Sequence, residues 1–326
     1  MASQAPFDLE QLRSSTKALA ERGALFGASS WRYMGWMGKL YQESRYVFRG
    51  KVSETRFKRS CLAEYAETLP TVSVDAAYYQ YPTLKQLDEW FGETPESFLV
   101  SLKVTDEITL KRFPNLPRFG QRAGRLNPGF LDADLFRDRF LKPCEPWRSR
   151  VGVLIMEFSR FHKTEFERGR DFVVALDRFL ERIPAGWRIG VELRNPGFLH
   201  PDYFAMLKRH QVAHVFNSWE AMPPVAEQAN LPGALDTADF GVARLLLKPG
   251  RRYEEAVKMF SPYDRLREPC ENARRGAIAI VCRKRASKPG SMTFIYAGNR
   301  LEGNSLETIQ NIASEILESA EFKPSS

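Results

Sequence analysis

The segment IGVELRNPGFL, residues 189–199, decides the fold. Its first half alternates: Ile189, Val191 and Leu193 fall on one face of an extended chain, and Gly190, Glu192 and Arg194 on the other. A carboxylate and a guanidinium opposite an apolar face argue against a strand sandwiched between two oily layers. Asn195-Pro196-Gly197 then ends the strand, because proline lacks the N–H that a ladder needs and glycine permits a turn. Glu192 and Arg194 therefore sit at the strand's C-terminal end, beside a loop, where parallel α/β folds carry their chemistry. The competing reading is a structural ion pair at a barrel mouth, since such pairs perturb charges without catalysing anything.

The same rhythm repeats on both sides of this segment. Upstream, strands are predicted at residues 24–30 (ALFGASS), 71–77 (TVSVDAA), 97–103 (SFLVSLK) and 150–158 (RVGVLIMEF), with helices over 57–69, 84–91, 132–141 and 165–183. Downstream, strands are predicted at 212–217, 243–248 (ARLLLK) and 293–297 (TFIYA), with helices over 201–210, 269–285 and 305–317. Eight strands separated mostly by helices is the count of an α/β (β/α)8 TIM barrel, a fold of about 250 residues and more with insertions. An open doubly wound sheet is the alternative, but no G-x-G-x-x-G follows the first strand and there is no P-loop. Residues 8–22 read as a helix outside the repeat, capped by Asp8 with Gln11 three positions on and ended by Gly23. The organisation is thus a single barrel domain over residues 24–326, with an N-terminal helical extension over 1–23 and long βα loops. Two of those loops, 105–128 and 219–239, are proline-bearing, and the first is also basic.

Composition narrows the classes further. At 326 residues and 43% hydrophobic, the chain can bury a sizeable core. No run approaches the ~20 apolar residues of a membrane span, and the N-terminus lacks the apolar core of a secretory signal. Cys61, Cys144, Cys270 and Cys282 form no CxxC pair, which fits reduced thiols in a cytoplasmic protein better than a disulfide or zinc framework. The net charge of +8 gathers in clusters at 111–125, 244–252 and 274–288. These read either as a solvated basic surface or as a partner site for an anionic small molecule or nucleic acid; only a shared face would make a footprint. Oligomeric state is not legible.

The order of signatures resembles the YecE-like family, catalogued as domain of unknown function seventy-two. The resemblance rests on GASSWRYMGWMGKLY at the first strand, TVSVDAAYYQYPT at the second and SFLVSLKVTDEIT at the third. It continues through VGVLIMEF, VELRNPGF and YAGNRLEGNS, and so covers nearly the whole chain from Gly27 onward. It implies a TIM barrel. Members usually show Glu-x-Asn on the second strand, His-Pro after the fifth-strand Arg, His-Gly after the seventh strand and paired Asn at the eighth. This chain has Ser73 and Asp75, Asn195-Pro196, Lys248-Pro249-Gly250 and Gly298-Asn299 at those places, so it resembles a divergent member. A likeness of some members to metal-dependent sugar isomerases and abasic-site endonucleases is analogy of fold alone.

The alternation phases place Asp75, Lys103, Glu157, Glu192, Arg194, Asn217, Lys248 and Asn299 near the C-terminal ends of strands. Three carboxylates and three cations around one mouth suit proton transfer, because neighbouring charges and burial pull pKa values in opposite directions. Glu192 is the expected general acid/base, with Asp75 and Glu157 as its carboxylate partners. Arg194 and Lys103 are expected to bind a phosphate or carboxylate, the first through a bidentate fork and the second as a point charge. Asn217 and Asn299 would orient substrate hydroxyls, with Lys248 a further substrate cation. Trp31, Tyr33, Trp36 and Tyr41 in the first loop line a pocket and stack on a base or sugar, or else pack as a lid over the first strand. Asp75, Glu157 and Glu192 are oxygen ligands suited to Mg²⁺ or Mn²⁺, whereas His162, His200, His210 and His214 supply no ligand pair.

Two functions compete. One is an enzyme using acid/base chemistry on a phosphorylated or other anionic substrate at the barrel mouth. The other is a nucleic-acid-binding protein, catalytic or not, using the basic loops and aromatic lid; its catalytic form would be a metal-dependent phosphodiesterase or endonuclease-like activity. A scaffold without a site is disfavoured, because charged groups at strand ends cost desolvation.

Overall fold

In the computed structural model, which describes residues 6–319 and Phe322, eight parallel strands close into a barrel. In chain order they are β1 (Ala24–Ala28), β2 (Thr71–Val74), β3 (Leu99–Lys103), β4 (Val151–Phe158), β5 (Ile189–Leu193), β6 (Ala213–Ser218), β7 (Gly241–Leu245) and β8 (Thr293–Ala297). Each pairs with its sequence neighbours, and β1 closes the ring against β8, with Gly27 opposite Tyr296 on one side and Thr71 on the other. A Cβ at Gly27 would lie 2.1 Å from the Thr71 carbonyl oxygen, so only glycine lets these strands approach.

The barrel has two layers of buried side chains. Val72, Leu102, Met156, Val191, Leu193 and Leu245 face the helices, while Leu25, Val153, Ile155, Val215, Val242 and Phe294 fill the lumen. The alternation in 189–193 is thus resolved: Ile189, Val191 and Leu193 pack on helices, and Glu192 points inward, wholly buried. Toward the N-terminal end the lumen closes with the Tyr296 hydroxyl on Ser101 Oγ (2.6 Å) and Thr71 Oγ1 (3.1 Å).

Helix Leu9–Ala20 is capped as read, the Asp8 carboxylate accepting from the N–H of Glu10 and Gln11, and it lies along the closing helix Ser305–Glu318. Several boundaries differ from the sequence reading. The seventh strand begins at Gly241 and ends at Leu245, not over 243–248, because pairing with β8 runs only from Gly241–Thr293 to Leu245–Ala297. Beyond Leu245 the Leu246 and Leu247 N–H groups turn onto the Ser218 carbonyl. Past 132–141 the predicted helix continues to Cys144 through a π-turn over Phe136–Leu141, next to Pro143, which has no N–H to give. Helices absent from the sequence reading include Val225–Ala229 and Tyr253–Phe260. The first is pinned by Gln228, whose side chain bonds both the N–H and the C=O of Asn217.

Candidate functional site at the barrel mouth

Strand phase and strand end together build the site. Lys103 ends β3, Glu157 and Glu192 come next to last on β4 and β5 in register with each other, and Arg244 comes next to last on β7. Asp75 follows β2 directly and Arg194 follows β5. All six side chains meet over the lumen. Arg244 is the hub: its guanidinium reaches Glu192 Oε2 at 2.5 Å, Glu157 Oε2 at 3.2 Å and Asp75 Oδ1 at 3.3 Å. Glu157 Oε2 also takes Lys103 Nζ and Arg194 Nη2, each at 2.8 Å, and Arg194 lies 3.4 Å from Glu192 Oε1.

Charge balance explains why this cluster tolerates burial. Burial alone would push the Glu157 carboxyl up, but Arg194, Lys103 and Arg244 outweigh it and hold the group well below the usual carboxylate range. Burial opposes the charge on Arg244 as well; Glu192, Asp75 and Glu157 reverse that and raise it further. Two aromatic faces cap the cations beside Glu157: Tyr78 sits 3.7 Å from Lys103 Nζ and Trp219 lies 3.5 Å from the Arg194 guanidinium. Access is graded, because the Asp75 side chain is 41% exposed, Arg194 14%, and Glu192 fully buried. An incoming molecule therefore meets Asp75 and Arg194 first. Among the described residues, four buried polar atoms of the lumen have no partner: Arg194 Nε, Arg244 Nε, Asn217 Oδ1 and Ser73 Oγ. Such orphans are costly without a ligand or water.

The remaining expected residues are placed as follows. Lys248 does not join the mouth; it lies beyond the end of β7 and pairs with Glu268 at 2.5 Å. Arg244 takes the place assigned to it, because the strand runs two residues earlier and so presents Val242 and Arg244 inward. The sequence signal was present in GVARL, but the longer apolar run ARLLLK hid it. Asn217 donates to the Leu193 carbonyl at 2.9 Å. Asn299 is buried and accepts from Ser305 N and Oγ, which ties it to the closing helix. Trp31 packs edge-on against Trp90, and Trp36 is fully buried between Tyr33 and Tyr41, so neither ring is open to a base or sugar. Tyr33 is half-buried, tilted at 47° against Trp36 and edge-on to Tyr263.

As arranged, the three carboxylates enclose Arg244, with Lys103 and Arg194 beside it. Among the described residues no group of three or more His, Cys, Asp or Glu is set to hold a metal ion. A divalent ion at Asp75, Glu157 and Glu192 would have to displace a guanidinium held by three carboxylates. The basic clusters also separate. Residues 111–125 and 248–252 lie in loops above the mouth, whereas 274–288 belongs to the outer helix Glu271–Ser287, with Arg274 paired to Glu302.

Comparison with known proteins adds the following. A family model described as protein of unknown function DUF72 matches residues 25–324. A DUF72 family protein from Enterococcus faecalis V583 is similar in structure, with a TM-score of 0.59 and 17% identity over 92% of this chain and 99% of that one. Another, from Thermotoga maritima MSB8, has a TM-score of 0.58 at 17% identity, over 91% and 99%. Likeness at this identity speaks for the fold alone. No curated protein matches the chain.

Proposed function

This chain belongs to the DUF72 family, and we propose that its barrel mouth is an active site for acid/base chemistry on a phosphorylated or otherwise anionic small molecule. The observation that carries this reading is where the charge lies. The eight segments that lead from a strand's C-terminal end into the next helix of the barrel hold 21 Lys and Arg against 13 Asp and Glu, an excess of eight. That excess equals the net charge of the whole chain, so the rest of the molecule is balanced. A positive face around a concave mouth steers anions toward it.

Within the mouth, Asp75 is the carboxylate that a substrate reaches, and it takes the proton-moving role first given to Glu192. Glu192 and Glu157 hold Arg244 and Arg194 in place. Arg194, whose Nε has no partner among the described residues, holds an oxygen of the substrate beside Asp75. Isothermal titration with a panel of sugar phosphates and their uncharged parent sugars tests this. Phosphorylated members should bind more tightly, and less so as salt rises. With a turned-over member in hand, Asp75→Asn should lower kcat by about 10²–10⁴, while Arg194→Gln should mainly weaken binding. Equal affinity for charged and uncharged sugars, or full activity in Asp75→Asn, would sink the reading.

The two loops 104–132 and 246–270 share this face, which favours nucleic acid as the second reading. It expects affinity for single-stranded DNA to fall steeply with salt as phosphate contacts release counterions. A flat salt response removes it.

A further inference from the structure

Between the loops that follow β3 and β4 lies a cavity of about 340 Å³, lined by Lys111, Arg112, Phe113, Ser159, Arg160 and Phe161 among others. Lys111, Arg112 and Arg160 form no ion pair with a carboxylate among the described residues. Lys111 Nζ donates to the Glu165 carbonyl and packs 3.4 Å from the centre of the Phe166 ring. Arg112 donates to the Gly124 carbonyl at 2.7 Å. The Arg160 side chain has no hydrogen-bond or ion-pair partner among the described residues. The one carboxylate in the lining, Glu165, turns back onto the His162 N–H at 2.9 Å. Burial of Lys111 lowers its pKa, a cost that a bound anion would relieve.

The cavity adjoins the mouth. Ser159 in its wall lies against the Tyr78 hydroxyl, and Tyr78 is the ring that caps Lys103. We propose that this cavity is the phosphate subsite of the mouth: it holds the phosphomonoester end of the ligand, whose remainder reaches past Ser159 and Tyr78 toward Asp75. This deepens, and rests on, the function proposed above. A phosphomonoester carries about −1.5 to −2 charges at neutral pH, which suits two guanidinium forks and an ammonium. Phe113 and Phe161 give part of the wall an apolar character, against which the ring of a ligand can pack. A pocket of this size, at the lower end for small-ligand sites, takes a phosphate and one ring.

The test is titration calorimetry on the full chain with phenyl phosphate as the monoester probe and dimethyl phosphate as a diester probe. The wild type should bind phenyl phosphate and prefer it clearly to the diester. Arg112→Gln and Arg160→Gln should each weaken it about tenfold, the loss of one charge-assisted hydrogen bond. Phenyl phosphate should also protect Lys111 from limited acetylation read by mass spectrometry, a measurement that needs no variant to fold. Unchanged binding in both variants, equal binding of the diester, or no protection of Lys111 overturns the subsite. If Arg194→Gln abolishes phenyl phosphate binding while the two cavity variants keep it, the phosphate sits in the mouth: the subsite is wrong and the mouth reading survives. If the cavity binds as stated but Asp75→Asn keeps full turnover, the mouth reading fails and phosphate binding in the cavity stands.

Discussion

Replacing Arg244 by methionine removes the hub of the mouth and keeps much of the side chain's apolar volume. Arg244 is 2% exposed and touches all three carboxylates of the cluster. In its absence Glu157 keeps Lys103 and Arg194, each at 2.8 Å, so it stays compensated. Glu192 does not. Its other contact is Arg194 at 3.4 Å, an arginine already engaged by Glu157, and its side chain is fully buried. Removing one partner of a buried ion pair costs about 3–5 kcal/mol, because the other charge is left buried and uncompensated. Urea unfolding followed by tryptophan fluorescence should therefore show Arg244→Met destabilised by about that amount at neutral pH. Adding Glu192→Gln should recover about half, because the orphaned charge is gone and only the loss of packing and hydrogen bonds remains. A cost below about 1 kcal/mol, or a double variant no more stable than the single, would refute the charge-balance account of the cluster.

Three further outcomes are expected. His214 is fully buried with Nδ1 3.2 Å from the Tyr203 hydroxyl, and burial pushes its pKa down from 6.5 to about 3. The folded state keeps this histidine neutral while the unfolded chain protonates it, so its contribution is complete above pH 6.5. It drains as pH falls from there toward 3, by up to about 1.4 kcal/mol per pH unit; His214→Gln should lack that part of the slope between pH 6 and 4.5, and identical slopes would disprove it. Glu302 is fully buried and joins Arg274 (2.8 Å), Thr308 Oγ1 (2.7 Å) and the Cys270 N–H, tying the approach to the outer helix to the closing helix. Glu302→Ala should cost about 3–5 kcal/mol in chemical denaturation, and a loss under 1 kcal/mol would contradict this. Gly27→Ala should prevent the normal β1–β2 contact and yield insoluble or strongly destabilised protein; a variant with wild-type melting behaviour would show that the strands can move apart at little cost.

Much of the fold was legible because a barrel strand has to satisfy two surroundings at once. The alternation in 189–193 requires one face for helices and another for the lumen, and the polar residues at the strand end mark which way the mouth opens. Asp75, Lys103, Glu157, Glu192 and Arg194 were accordingly found from phase alone, and they do converge. Arg244 was missed because the apolar run ARLLLK fits a strand in more than one register. Only the hydrogen bonds to β6 and β8 choose one, and a shift of two residues moves which side chain stands at the strand's end. Lys248 was misplaced for the same reason.

Local sequence therefore determined the strand and helix order, the closed α/β architecture and the polarity of one barrel end, since periodicity and turn chemistry act over a few residues. The tertiary structure alone decided which charges pair, which carboxylate faces solvent and where the excess positive charge lies. Those depend on distances between segments far apart in the chain, 169 residues for Asp75 and Arg244. Coulomb energy and desolvation follow those distances and the local burial, and neither is written in the spacing of residues along the chain.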